Sequence, residues 1–148
     1  MITIVFVCRR NSGRSQMAAA YLKAILGESV DIRSGGTEPA HDIDTNVKRV
    51  MAEDGVSLER AVPQLLDTAA AARADRVIAM GCDIGDVQGL PRIDEDWGID
   101  DVDGLDLVAV RAIRDGIKRR TLGLAGAIKR GELGTRPHRP QADDVVAP

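Results

Sequence analysis

The run Ile2-Thr3-Ile4-Val5-Phe6-Val7, passing straight into Cys8 and a glycine-containing loop, constrains this chain more than any other feature. It is almost continuously apolar and rich in β-branched side chains, the pattern of a strand covered on both faces. Such a strand needs layers above and below it. The next segment, Arg14 to Leu26, supplies one, because Met17, Tyr21, Ile25 and the pair Leu22/Leu26 recur at helical spacing and Gly27 marks a stop. Further along, Val30 to Ser34 reads as a second strand ended by Gly35-Gly36, and residues 43–54 as a helix with Val47, Val50 and Met51 inward. A shorter helix over 64–72 leads into a buried-type strand, Arg76 to Met80, and Leu90 to Ile93 reads as a fourth, short strand. An acidic loop from Asp94 to Asp106 then precedes a long helix from Leu107 to Arg130.

Alternating strands and helices with short links predict a three-layer α/β/α domain over residues 1–133, with a four-stranded parallel sheet in the order 2-1-3-4. Residues 134–148 are rich in Pro, Arg and Asp with little to bury, and read as a disordered tail. Aromatic residues are only 2% of the chain, so the core has to be built from Val, Ile, Leu, Ala and Met. In such sheets ligands bind beyond the carboxyl ends of the strands, at the switch point between strands one and three. Cys8 leaves strand one there, Cys82 leaves strand three on the same edge, and the acidic loop follows strand four.

The formal net charge of −3 gives no electrostatic reason to expect nucleic acid or an anionic membrane surface, so anion binding must be local. The apolar N-terminal run is too short for a signal segment, and no stretch has transmembrane length. Two cysteines make no disulfide framework, and with His41 and His138 as the sole histidines no zinc spacing arises, so no metal site is expected. A reducing cytoplasm is the expected compartment.

The chemistry concentrates in Cys8-Arg9-Arg10-Asn11-Ser12-Gly13-Arg14-Ser15, a Cys-x5-Arg-Ser pattern between a strand and a helix. Asn11 and Gly13 tolerate the left-handed backbone of an anion nest, whose N–H groups point inward. The helix N-terminus that follows adds partial positive charge. Residues 9–14 would thus cradle a phosphate-sized oxyanion, and the same field favours a thiolate at Cys8. Arg14 can hold two oxygens with its planar fork, and Ser15 can donate a hydroxyl hydrogen bond to the sulfur. Arg9 and Arg10 either enlarge the positive field at the mouth or are simply solvated; the residues alone leave both readings open.

Cys8-x-x-Asn11-x-x-Arg14-Ser15-Gln16-Met17-Ala18, together with Ser34-Gly35-Gly36-Thr37-Glu38-Pro39, resembles the low-molecular-weight protein tyrosine phosphatase superfamily. Gly81-Cys82-Asp83, Leu90-Pro91, Glu95 to Asp101 and the stretch Val110 to Ile117 resemble its arsenate reductase branch. The resemblance implies the phosphatase-like four-stranded fold, with Cys8 as nucleophile, Arg14 as oxyanion clamp and Asp101, preferred over Asp100, as general acid. Thioredoxin-coupled members carry a further cysteine where this chain has Gly13 and a resolving cysteine where it has residues 83–89. The loop here is similar to that of the small-thiol branch, and Val102 stands where a proline is common.

The function this supports is arsenate reduction. Cys8 attacks arsenate, and a second thiol, either Cys82 or an external one, releases arsenite. Cys82 is otherwise a buried small residue at a strand end. No bound cofactor is expected; the electrons would come from a mycothiol-like or other small thiol, with a glutaredoxin-type system favoured over thioredoxin. A phosphatase acting through a phosphocysteine would use the same residues, but an aryl ester calls for an aromatic cleft, and the chain has one Phe, one Tyr and one Trp, with Phe6 and Tyr21 reading as core. A non-catalytic oxyanion-binding or redox-sensing module is the reading from another class.

Overall fold

Strand β1 (Thr3–Cys8) occupies the middle of the sheet in a computed structural model that describes residues 1–81 and 92–133. It pairs in parallel with β2 (Asp31–Gly36) on one side and β3 (Arg76–Ala79) on the other, and β3 carries a two-residue β4 (Glu95–Asp96). The order is β2-β1-β3-β4, all parallel, as the strand–helix alternation predicts. Alternate residues of β1 serve two separate cores, which is why its sequence shows no polar face. Ile4, Phe6 and Cys8 join a large cluster with α1 (Arg14–Leu26), α2 (Thr45–Glu53) and α4 (Leu107–Lys129). Val5 and Val7 face the other way, onto Val77, Ala79, Leu66, Ala71 and Ala74 around the short α3 (Thr68–Arg73). Phe6 and Trp97 meet edge to face, with centroids 5.5 Å apart, and so use two of the few aromatics to close the large core.

Three helices start at aspartate caps: Asp44, Asp67 and Asp106 accept the N–H groups of Val47, Ala70 and Ala109. The cap at Asp67 explains one difference from the expected elements. Residues 64–66 are extended, with Leu66 N–H donating to Gly36 O and Gly36 N–H to Gln64 O, and the helix begins only after Asp67. Gly35 and Gly36 do not end the second strand; they are its last two residues, paired with Val7 and Cys8. The fourth strand also lies later than Leu90–Ile93. Arg92 is held by the carbonyls of Ala72 and Ala74, Asp94 takes the Val77 N–H on its carboxylate, and the ladder forms only at Glu95 and Asp96. Leu90, Pro91, Cys82 and the 134–148 tail fall outside the described residues. No helix of the described residues is long and apolar enough to cross a membrane.

Candidate active site

The loop from Cys8 to Gly13 is held from outside by its carbonyl groups. Those of Cys8, Arg9, Arg10 and Ser12 accept N–H bonds from Thr37, Glu38, Ala40 and Asp44 at 2.8–3.2 Å. In a trans peptide the C=O and the next N–H point opposite ways, so fixing these carbonyls outward turns the following amides toward the Cys8 side. Asn11 N–H, at 3.1 Å from Cys8 Sγ, shows the result. The loop can pass this closely over β2 because Gly36 has no side chain: a Cβ there would stand 2.8 Å from Arg9 O and 3.0 Å from Asn11 Cβ. At its far end the chain enters α1, whose N-terminus adds the field of its unpaired amides.

Asn11 is the one non-glycine residue of the described chain in the left-handed region, with φ of 51°, as expected for a nest. Its side chain is fully buried and fully used. Oδ1 accepts from Gln64 N–H and from Gln16 Nε2, both at 2.9 Å, while Nδ2 donates to Ser15 Oγ at 2.7 Å and Ser34 Oγ at 3.2 Å. A backbone N–H can only donate, so Gln64 fixes which end of the Asn11 amide is oxygen. Ser15 Oγ is then an acceptor toward Asn11, which leaves its own proton free to be shared with Cys8 Sγ, 2.8 Å away. Ser15 Oγ and the Asn11 N–H thus both stand within hydrogen-bond distance of the sulfur.

Arg14 is 3% exposed. Its Nη1 donates to Ile99 O at 3.0 Å, and its Nη2 lies 3.9 Å from Asp101 Oδ1. The structure therefore brings Cys8, Asn11, Arg14, Ser15 and Asp101 to one end of the sheet. Asp101 is about half exposed. Gly13 departs from expectation: its φ of −149° is not left-handed, and its small size serves close packing instead. Arg9 forms an exposed ion pair with Glu38 at 2.9 Å, so Glu38 answers its charge; Arg10 is exposed beside it. Cys82, the candidate second thiol, lies outside the described residues.

Gln16, Ser34 and Gln64 were not singled out by sequence for any role, yet they hold Asn11. Ser34 and Gln16 sit inside the motifs that carry the family resemblance, which was the available signal; the Gln64 contact is a backbone one and leaves no trace in residue type. Behind this network an open cleft of about 950 Å³ is lined by Gln16, Ser34, Gln64, Lys23 and Leu58. Neither Cys8 nor Arg14 is among its lining residues.

A parallel α/β sheet with a cysteine at the base of an amide-lined loop, an arginine entering from the next helix and a carboxylate opposite defines a cysteine-dependent oxyanion-handling enzyme class. The chain belongs to the low molecular weight phosphotyrosine protein phosphatase family, whose model matches residues 3–132. A Halobacterium salinarum protein provisionally named an arsenate reductase is 37% identical over 124 residues, spanning 80% of this chain and 87% of the relative. A solved structure of an arsenate reductase in the phosphate binding state superposes with a TM-score of 0.76 at 29% identity, over 86% of this chain and 99% of that one. The thioredoxin-dependent arsenate reductase of Corynebacterium glutamicum gives a TM-score of 0.73 at 32% identity, over 88% of this chain and 63% of its own.

Proposed function

We propose that this chain reduces arsenate to arsenite, with Cys8 as the nucleophile. The observation that carries the reading is Cys8 Sγ, held by Ser15 Oγ and the Asn11 N–H in the loop that leads into α1. The thiolate attacks arsenic and forms an S–As bond, while an arsenate hydroxyl leaves as water after taking a proton from Asp101. Arg14 follows the remaining oxygens through the step. A second thiolate then attacks the Cys8 sulfur; the S–As bond pair goes to arsenic, which departs as arsenite, and a disulfide remains. In sum, arsenate and two thiols give arsenite, water and one disulfide.

Arsenate is favoured over an aryl phosphate because the three aromatics are all spent in the interior: Phe6, Tyr21 and Trp97 are 0%, 4% and 5% exposed. None is left to stack a phenol ring at the loop mouth. The second thiol is Cys82 or an external small thiol. Gly13 and the cysteine-free stretch 83–89 favour a small thiol over thioredoxin as the electron source. That supply belongs to a reducing cytoplasm.

The test follows arsenate-dependent oxidation of mycothiol, glutathione and thioredoxin, in parallel with hydrolysis of a chromogenic aryl phosphate. Cys8→Ser should abolish arsenate turnover. Cys82→Ser remaining active would assign the second sulfur to the external thiol. Aryl phosphate hydrolysis without arsenate turnover under any thiol would replace this reading with the phosphatase one.

A further inference from the structure

Position 13 carries no side chain and has no room for one. A Cβ there would stand 2.6 Å from Val102 Cγ2 and 3.4 Å from Val47 Cγ2. Val102 is 3% exposed, and a packed β-branched side chain has little χ1 freedom with which to retreat. As the N-cap of α1, Gly13 supplies no side-chain bond to the helix, a contribution that Ser or Asp would make. What Gly13 offers instead is a notch, and Val102 fills it.

The residue before Val102 is Asp101, and the contacts around it form a pattern. Gly98 and Gly104, at φ of 60° and 73°, bound a short segment in which the chain turns twice. Between them Ile99 is fixed by its N–H to Met80 O and by its carbonyl, which accepts from Arg14 Nη1 at 3.0 Å. Val102 is fixed by its side chain in the Gly13 notch. Gly13 and Arg14, consecutive residues where the loop enters α1, thus grip the segment on both sides of Asp101, while among the described residues the Asp101 carboxylate itself holds the Asp103 N–H at 3.3 Å and the distant Arg14.

We propose that Val102 is a positioning residue for Asp101, seated in the notch at Gly13 so that the acid stays registered on the oxyanion loop. This rests on the reading of Asp101 as the proton donor. While Val102 stands there, the same contact leaves no room for a side chain at position 13.

The test measures kcat and KM for arsenate at saturating thiol, and the same constants for an aryl phosphate, in wild type, Val102→Ala, Gly13→Ala, Asp101→Asn and the pairwise combinations. Val102→Ala should lower kcat roughly tenfold or more with the arsenate KM changed less than about twofold. Asp101→Asn should cost less in the Val102→Ala background than in wild type, and Gly13→Ala should cost little further once Val102 is truncated. Wild-type kcat in Val102→Ala, or effects that multiply independently, would overturn the proposal while leaving arsenate reduction standing. Should Gly13→Ala fail to fold, the cycle of Val102 with Asp101 decides. If the wild type hydrolyses only the aryl phosphate, the functional reading fails and the same cycle on that substrate still decides the role of Val102. No turnover of either substrate overturns both.

Discussion

Asn11 sets the polarity of the whole hydrogen-bond chain that ends at the reactive sulfur, because all its donors and acceptors are engaged and one partner is a backbone N–H. Replacing the amide with a carboxylate tests this directly. In Asn11→Asp the Ser15 proton should turn from Cys8 to the new carboxylate, leaving the sulfur one donor short. Alkylation of Cys8 by iodoacetamide at neutral pH should slow by about tenfold, and a rate equal to wild type would show that Ser15 does not serve the sulfur. The left-handed role of Asn11 was legible from residue type, since asparagine tolerates that backbone. Three of its four partners were not, because Gln16, Ser34 and Gln64 come from beyond the loop, and no spacing rule joins position 11 to position 64. Gly13 shows the converse: its importance was legible, but the reason is the approach of Val102, a contact that exists only in three dimensions.

At the scale of elements, the end of β2 does the work of bringing three segments to the site. Gly35 lies under the backbone of residue 66, where a Cβ would approach Leu66 Cα to 2.6 Å and its N to 3.0 Å. Since those atoms are main chain, a substituent cannot be absorbed by a rotamer change. Gly35→Ala should therefore destabilise the fold by about 1–3 kcal/mol, read from the urea midpoint, and should loosen the 64–66 segment that holds Asn11. Reading Gly35-Gly36 as a strand stop was reasonable from local propensity, but tertiary pairing with Cys8 and residues 64–66 overrode it. The aspartate caps, by contrast, follow from a purely local rule. At the large core, Phe6 is fully buried, and Phe6→Ala should cost about 3–5 kcal/mol in the same measurement, since the cavity would also strip Trp97 of its edge-to-face partner.

Across the whole molecule, the helices of the large core are tied by charge as well as by apolar packing. Arg114 of α4, only 7% exposed, donates to Val50 O and to Glu53 of α2, and Arg111 grips Glu53 with two further bonds at 2.7 and 2.9 Å. The hydrogen bond from Arg111, then that from Arg114, lowers the Glu53 carboxyl from 4.5 to about 2. Asp54 is held low as well, first by the Tyr21 hydroxyl and then by Lys118. A depressed folded-state value means that the stabilisation is whole above about pH 4.5 and is lost as pH falls toward about 2. In Glu53→Gln the melting temperature should fall less steeply than wild type across that window, and added salt should narrow the difference because the pair is exposed; identical slopes would refute the linkage. The sequence by itself determined the class of fold, the order of its strands and the loop that carries Cys8, because continuous apolar runs, helical spacing and a Cys-x5-Arg pattern are local signals. Only the tertiary structure decided what holds that loop and the Asp101 segment in register, since the Gln64 amide, the Ile99 carbonyl and the Val102 methyl reach the site by packing and backbone geometry, which residue type does not encode.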